Sequence, residues 1–325
     1  MSLRKRRRLT PELVRELSAK ELALGITWGE YSVMKNVRNL PMRVRAAAVR
    51  WLMSLVGWGF FLFHPKARHD VTLARAQMAR LLRRWFHAET EGEIPREGAL
   101  VVGFHHPSQG EIPRLLLEIF EARPDEEILL PVALNWFEAM VPAMKYLRRF
   151  RLRVMPLVTE RFLTQLDAEK LRPETLTMLK NVQLKLMREY YSAVGVALSE
   201  HCVVMVAPTA QRQTTIFKTR AEYHGQAPLA PVMKAIWRSI RKAGVADAQI
   251  LPVAVLTFAD GTALNFGRRY RLSFLKPFAS EQIEQILASK TRKMLHPAVA
   301  NCLFDYEFRL RIAAGLPSSL RYPKE

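Results

Sequence analysis

The sequence predicts an α/β domain, a mixed and mainly parallel sheet flanked by helices, with amphipathic helices ahead of it. Two observations carry this. Short apolar runs at 99–104, 127–134, 151–158, 202–207 and 250–258 alternate with stretches of helical periodicity at 111–122, 136–149, 174–197 and 229–243. Strands joined through helices run parallel, and the crossovers cover both faces of the sheet. In addition, 49% of the 325 residues are apolar, enough for a large core in one or two domains.

Thr10-Pro11-Glu12 is a strong helix start: a capping hydroxyl, a proline at the first helical position, then an acid. Apolar residues at helical spacing continue through 11–24. The segment 44–63 differs, because its uncharged run from Trp51 to Phe63 is apolar yet too short for the roughly 20 residues that cross a bilayer. Trp51 and Trp58, set among Arg43, Arg45, Arg50, Lys66 and Arg68, favour an interfacial membrane segment over a buried core helix. An arginine-rich helix follows at about 70–87. Residues 88–97 are polar with Gly and Pro, and they set the expected boundary: 1–90 a basic, helical, membrane-associating region, 91–325 the α/β domain. The stretch 280–313 opens with Ser280 as its expected cap and reads mostly helical.

The net charge of +20 is compatible with nucleic acid, an anionic membrane surface or acidic substrates. Nucleic-acid binding expects basic clusters interleaved with aromatics or a reading motif, and neither occurs, so no nucleic acid is expected as partner. The run Arg4-Lys5-Arg6-Arg7-Arg8 fits a membrane-surface anchor, and equally a solvated basic tail. Cys202 and Cys302 are too few and too far apart for a disulfide framework or a zinc site, which fits a reducing compartment. A secretory leader is not expected, because acidic residues follow the basic N-terminus where an apolar core belongs.

The chemistry concentrates at the end of the first strand of the domain. Ala99–Phe104 runs into a turn holding His105, His106 and Ser108, and a helix begins near Glu111. A histidine and a carboxylate five residues apart can meet across such a turn; the carboxylate then fixes the imidazole tautomer and stabilises the imidazolium. The positive end of the helix dipole favours the ionised acid. A satisfied polar turn explains the same pattern, and on spacing alone it is the better explanation, since short His/Glu patterns are common. A second strand empties into Ala207-Pro208-Thr209-Ala210-Gln211-Arg212, where Arg212 is a fork-shaped donor for phosphate or carboxylate, or else a surface arginine. A third strand carries Pro252-Val253. No further ligand cluster accompanies His105, His106 and Glu111, so no metal is expected.

In this order and spacing the three segments resemble the glycerolipid acyltransferase superfamily, which includes the glycerol-3-phosphate and lysophosphatidic acid acyltransferases. The family's Asn-His-x-Ser-x-x-Asp stands here as His105-His106-Pro107-Ser108-Gln109-Gly110-Glu111. The resemblance makes His106 the general base and Glu111 its partner, with His105, Ser108, Gln211 and Arg212 near the substrate. Phe-Pro-Glu-Gly-Thr-Arg aligns with 207–212, and the family's Pro-Val with Pro252-Val253. Its second motif, an arginine after a strand, is matched by Arg161. The helices ahead of the domain resemble the family's membrane-docking helices. The resemblance covers about 44–258.

Glutamate replaces the family's aspartate at Glu111, and in the third motif Thr209, Ala210 and Gln211 replace Glu, Gly and Thr. What the resemblance implies is a membrane-associated protein of the cytoplasmic face that moves a fatty acyl group from acyl-CoA or acyl carrier protein to a lipid or sugar hydroxyl. The thioester is a co-substrate, and no bound cofactor is required. A non-catalytic membrane protein that retains the fold remains an alternative, and a basic nucleic-acid binder a more distant one. His-His-x-x-x also resembles the condensation and CoA-dependent acetyltransferase motif, but Gly110-Glu111 reverses its Asp-Gly and the chain is short for that two-lobed fold.

Overall fold

A computed structural model of the chain describes residues 40–84, 86, 88–104, 110–133, 143–157, 173–207, 232–257 and 270–288. Thr10-Pro11-Glu12, the basic run before it and most of 280–313 lie outside these residues.

Among the described residues seven strands form one sheet in the order β1-β7-β6-β2-β5-β3-β4. In chain order they are β1 (Glu89–Glu91), β2 (Leu100–Phe104), β3 (Ile128–Ala133), β4 (Leu152–Leu157), β5 (Val203–Val206), β6 (Gln249–Thr257) and β7 (Tyr270–Phe274). From β6 through β4 the strands are parallel; β7 pairs antiparallel with β6, and β1 lies parallel to β7. All five residues of β2 are buried, as a central strand covered on both sides requires. The five parallel strands coincide with the five apolar runs of the sequence to within two residues.

Helices cover both faces. On one lie α1 (Leu40–Phe63), α2 (Val71–Arg83), α3 (Glu111–Ala122) and the short α4 (Met144–Leu147), the last running into a 3-10 turn at Arg148–Phe150. The core there gathers Phe60, Phe61, Met78, Leu115, Ile119 and Phe150 against Leu100, Val102 and Phe104. On the other lie α5 (Pro173–Ser199), α6 (Val232–Ala243) and α7 (Ser280–Ala288). Tyr190, Val194, Trp237, Ile240 and Ile283 pack there against Val101, Val204, Val206 and Ile250. Leu100 and Val101 serve opposite faces because alternate residues of a strand point to opposite sides. The division of helices follows from chirality. The β2-α3-β3 crossover moves toward the β4 edge, whereas β4-α5-β5 and β5-α6-β6 move back. Right-handed crossovers travelling in opposite directions put their helices on opposite faces.

Three features depart from the sequence pattern. Glu89–Glu91, inside the polar stretch that carries no strand pattern in the sequence, is an edge strand held by Arg271 Nη2 to Glu89 (2.9 Å) and Ser273 Oγ to Glu91 (3.2 Å). An edge strand exposed on one side does not need apolar residues. The arginine-rich helix ends at Arg83 rather than near His87. Ser280 begins α7 as expected, but its hydroxyl donates to the carbonyls of Ala246 (2.7 Å) and Ala248 (3.0 Å); the Gln282 side chain instead accepts from the Ala279 N–H (3.0 Å).

Helix α1 joins the core through its C-terminal half. A Cβ on Gly57 would stand 2.5 Å from Tyr146 Cδ2, so only glycine lets that ring lie flat on the helix. Phe61 packs against Phe150 with ring centroids 5.4 Å apart, and the Arg149 guanidinium sits 5.0 Å above the Phe61 ring. Trp51, Leu52, Leu55, Trp58, Leu62 and Phe63 point outward and are exposed. Among the described residues no helix is long and apolar enough to cross a membrane.

The amino edge of the sheet is closed by two buried arginines. Arg75 of α2 donates to the carbonyls of Phe150 (2.8 Å), Arg123 (2.7 Å), Pro124 (2.8 Å) and Glu126 (2.5 Å). Burial lowers its pKa to about 10, with the charge of Arg151 adding to the effect and Asp125, Glu126 and Glu127 opposing it. Arg123 donates to the carbonyls of Pro95 (2.5 Å), Glu97 (2.7 Å) and Gly98 (2.7 Å) and pairs with the Glu126 carboxylate at 2.6 Å. Cys202, at the start of β5, is buried, and that burial pushes its thiol up to about 11.

Candidate active site

Topology decides where chemistry can sit. β2 and β5 are neighbours in register, Gly103 beside Val206, but their exits diverge: β2 leads to α3 on one face and β5 to α6 on the other. A crevice opens where adjacent parallel strands send their connections in opposite directions, and such switch points are where open α/β sheets take ligands. The segment that follows Phe104 is 105–109, and the one that follows Ala207 is 208–212. On the other side of β2, Pro252 lies beside Gly103 and Val253 beside Phe104. Three segments singled out in the sequence therefore start from, or lie on, three adjacent strands. The strand that precedes Arg161 in the chain is β4, which lies three strands from β2, about 14 Å at the usual strand spacing.

Of the expected site residues the structure describes Glu111. His105, His106, Ser108, Arg161, Gln211 and Arg212 lie outside the described residues. Glu111 is the first residue of α3 and is 0% exposed. A carboxylate in the first turn meets the positive end of the helix dipole, which favours its charged form. Gly110 precedes it because nothing larger fits: a Cβ there would lie 2.6 Å from Tyr270 Oη and 3.0 Å from Arg114 Nη1.

Arg114, one turn further along α3, is 1% exposed. Its Nη1 donates to the Gly110 carbonyl at 2.5 Å. Its guanidinium carbon lies 3.9 Å from the ring centroid of Tyr270 and 5.3 Å from that of Phe86, in the range of cation–π attraction. Burial lowers the Arg114 pKa, and the Tyr270 hydroxyl and the Glu111 carboxylate oppose that shift. Tyr270 belongs to the carboxyl edge as well, since β7 runs antiparallel and Tyr270 stands beside Thr257 at the end of β6. The start of α3 is thus fastened to the antiparallel strand. A carboxylate and a guanidinium of opposite charge, both withdrawn from water three residues apart on one helix, can serve a reacting site or the fold alone.

Sequence reasoning did not single out Arg114 or Tyr270. The available signal was the buried stripe of α3: Glu111, Arg114, Leu115 and Ile119 share one side, placing an arginine among apolar neighbours. Among the described residues no group of three His, Cys, Asp or Glu is disposed to hold a metal.

No protein-family model matches the chain, and no curated protein matches it. Among solved structures, the chain is similar to the 1-acyl-sn-glycerophosphate (LPA) acyltransferase PlsC from Thermotoga maritima, at 14% identity and a TM-score of 0.44, over 82% of this chain and 98% of that one. A likeness this distant carries no argument about what the present chain does.

Proposed function

We propose that the chain is an acyltransferase working at a membrane surface, with His106 as general base and Glu111 as its carboxylate partner. The observation that carries the proposal is the position of Glu111: a fully buried acid at the first turn of the helix that comes after β2 in the chain, at the switch point of the sheet. Burying a carboxylate is costly, so a fold that does so surrounds it with compensating charge and hydrogen bonds.

On this reading neutral His106 takes the proton of an acceptor hydroxyl as its oxygen attacks the thioester carbonyl of acyl-CoA or acyl carrier protein. Glu111 orients the ring and stabilises the imidazolium. The tetrahedral intermediate expels the thiolate, which takes the proton back, so an ester and a free thiol leave and the base is restored. Arg212 and Arg161, with Gln211, bind anionic or polar parts of donor or acceptor, and Ser108 and His105 support the turn. The outward ridge of α1, with Trp51 73%, Trp58 56% and Phe63 79% exposed, supports docking to an anionic membrane on the cytoplasmic face.

The test is thioester consumption by the full chain on anionic vesicles, against a panel of lipid and sugar hydroxyls. Acceptor-dependent thiol release that His106→Ala lowers by a factor of about 100 or more is the expected result. Release that is unchanged in that variant overturns the assignment. The second reading, a non-catalytic membrane protein, is favoured by Thr209, Ala210 and Gln211 in the third motif. It predicts vesicle binding with no turnover of any donor.

A further inference from the structure

We propose that Arg114 is a positioning residue for this reaction: lodged against the rings of Tyr270 and Phe86 and bonded to the Gly110 carbonyl, it locks the start of the helix from which Glu111 presents its carboxylate. The proposal rests on the acyl-transfer reading and deepens it.

Three contacts converge on one backbone position. Gly110 has the Tyr270 hydroxyl and the Arg114 guanidinium where a side chain would be. The guanidinium in turn holds the Gly110 carbonyl at 2.5 Å and lies 3.9 Å from the Tyr270 ring centroid. The backbone entering α3 is therefore gripped by a side chain from its own first turns and by a ring from β7. Glu111 is the next residue, so little freedom remains in where its Cα sits and how the helix is aimed.

The chemistry of the grip calls for arginine in particular. A planar guanidinium donates in its plane while its face lies on an aromatic ring, and both happen here at once. A lysine would reach the carbonyl or the ring as a point charge, not both. The positive charge also accompanies a buried carboxylate three residues earlier in the same helix, where i, i+3 spacing brings side chains together. Arg114 is itself fully buried, so it does not meet a substrate directly; it acts through Glu111.

The experiment is a double-mutant cycle of Arg114→Lys and Glu111→Gln, read as steady-state thioester consumption by the full chain on vesicles. Displacement of a catalytic group by about 1 Å costs on the order of 100-fold, so Arg114→Lys is expected to lower kcat about 10- to 100-fold while the donor KM stays within about twofold. In the Glu111→Gln background the same change is expected to cost less than about twofold, because a residue acting through Glu111 has nothing left to position. If Glu111→Gln is too slow to follow at steady state, single-turnover thiol release at excess protein takes its place. If Arg114→Lys does not fold, Tyr270→Leu replaces it, removing the ring and leaving the charge. Losses that simply multiply, or a change confined to KM, overturn the positioning role while leaving the acyl-transfer reading standing. A wild-type chain without His106-dependent turnover takes down both.

Discussion

The two edges of the sheet each bury arginine, and they do so to different ends. At the amino edge Arg75 and Arg123 spread their donors over backbone carbonyls from loops 95–98 and 123–126 and the turn at Phe150. These carbonyls lie in the loops and turns that lead into β2, β3 and β4, and the arginines donate to them in place of solvent. At the carboxyl edge Arg114 faces aromatic rings and a buried carboxylate as well as one carbonyl of its own helix. Equal burial thus goes with different surroundings. On the proposed reading, Arg75 and Arg123, which collect main-chain carbonyls, close the fold, whereas Arg114, beside the fully buried Glu111, organises the site.

That contrast can be broken most forcefully at Arg75. Arg75→Met leaves the carbonyls of Phe150, Arg123, Pro124 and Glu126 without this donor, and it is expected to cost about 3–5 kcal/mol in denaturant unfolding, with turnover per folded molecule unchanged. Lost turnover at full stability would erase the distinction between the edges. Glu111→Gln should do the reverse: a near-isosteric change that slows thioester consumption about 100-fold, or about 3 kcal/mol in barrier, yet shifts unfolding by less than about 1 kcal/mol. Gly110→Ala lies between. Its Cβ must displace the buried Tyr270 ring or the Arg114 guanidinium, so it is expected to cost about 1–3 kcal/mol of stability and to lower turnover as well, measured on the same samples. The smallest effect is expected on the helical face away from both edges' arginines. Tyr190 Oη is buried with no hydrogen-bond partner among the described residues, so Tyr190→Phe should change unfolding by no more than about 1 kcal/mol, in the stabilising direction.

Much of the scaffold was legible because period and punctuation agree there. Glu111–Ala122 matches the expected 111–122 helix, since its apolar stripe is sharp and its ends are marked by Gly110 and by the polar run from Arg123. Tyr270–Phe274 was missed: five residues, with Arg271 and Ser273 in alternation, are too short a pattern to stand out without the neighbouring β6. Glu89–Glu91 was missed because its polarity suits the edge it occupies. Within the site, the start of α3 at Glu111 was legible from the turn chemistry. Its clamp was not, because Arg114, like Arg75 and Arg123, looks in the sequence like one more surface charge among 50 lysines and arginines. Only the packed structure separates these three buried guanidinium groups from the exposed ones among the described residues.

Cys202 offers a practical consequence. Its thiol sits where β5 leaves the amino edge, enclosed and held well above neutral pH in its ionisation, so little of it is thiolate in the folded chain. Alkylating reagents attack thiolate and need access. In a Cys302→Ser background, the rate at which a fluorescent maleimide labels residue 202 therefore becomes a clock for opening of that edge. The same chain can be followed on vesicles without adding a probe in advance.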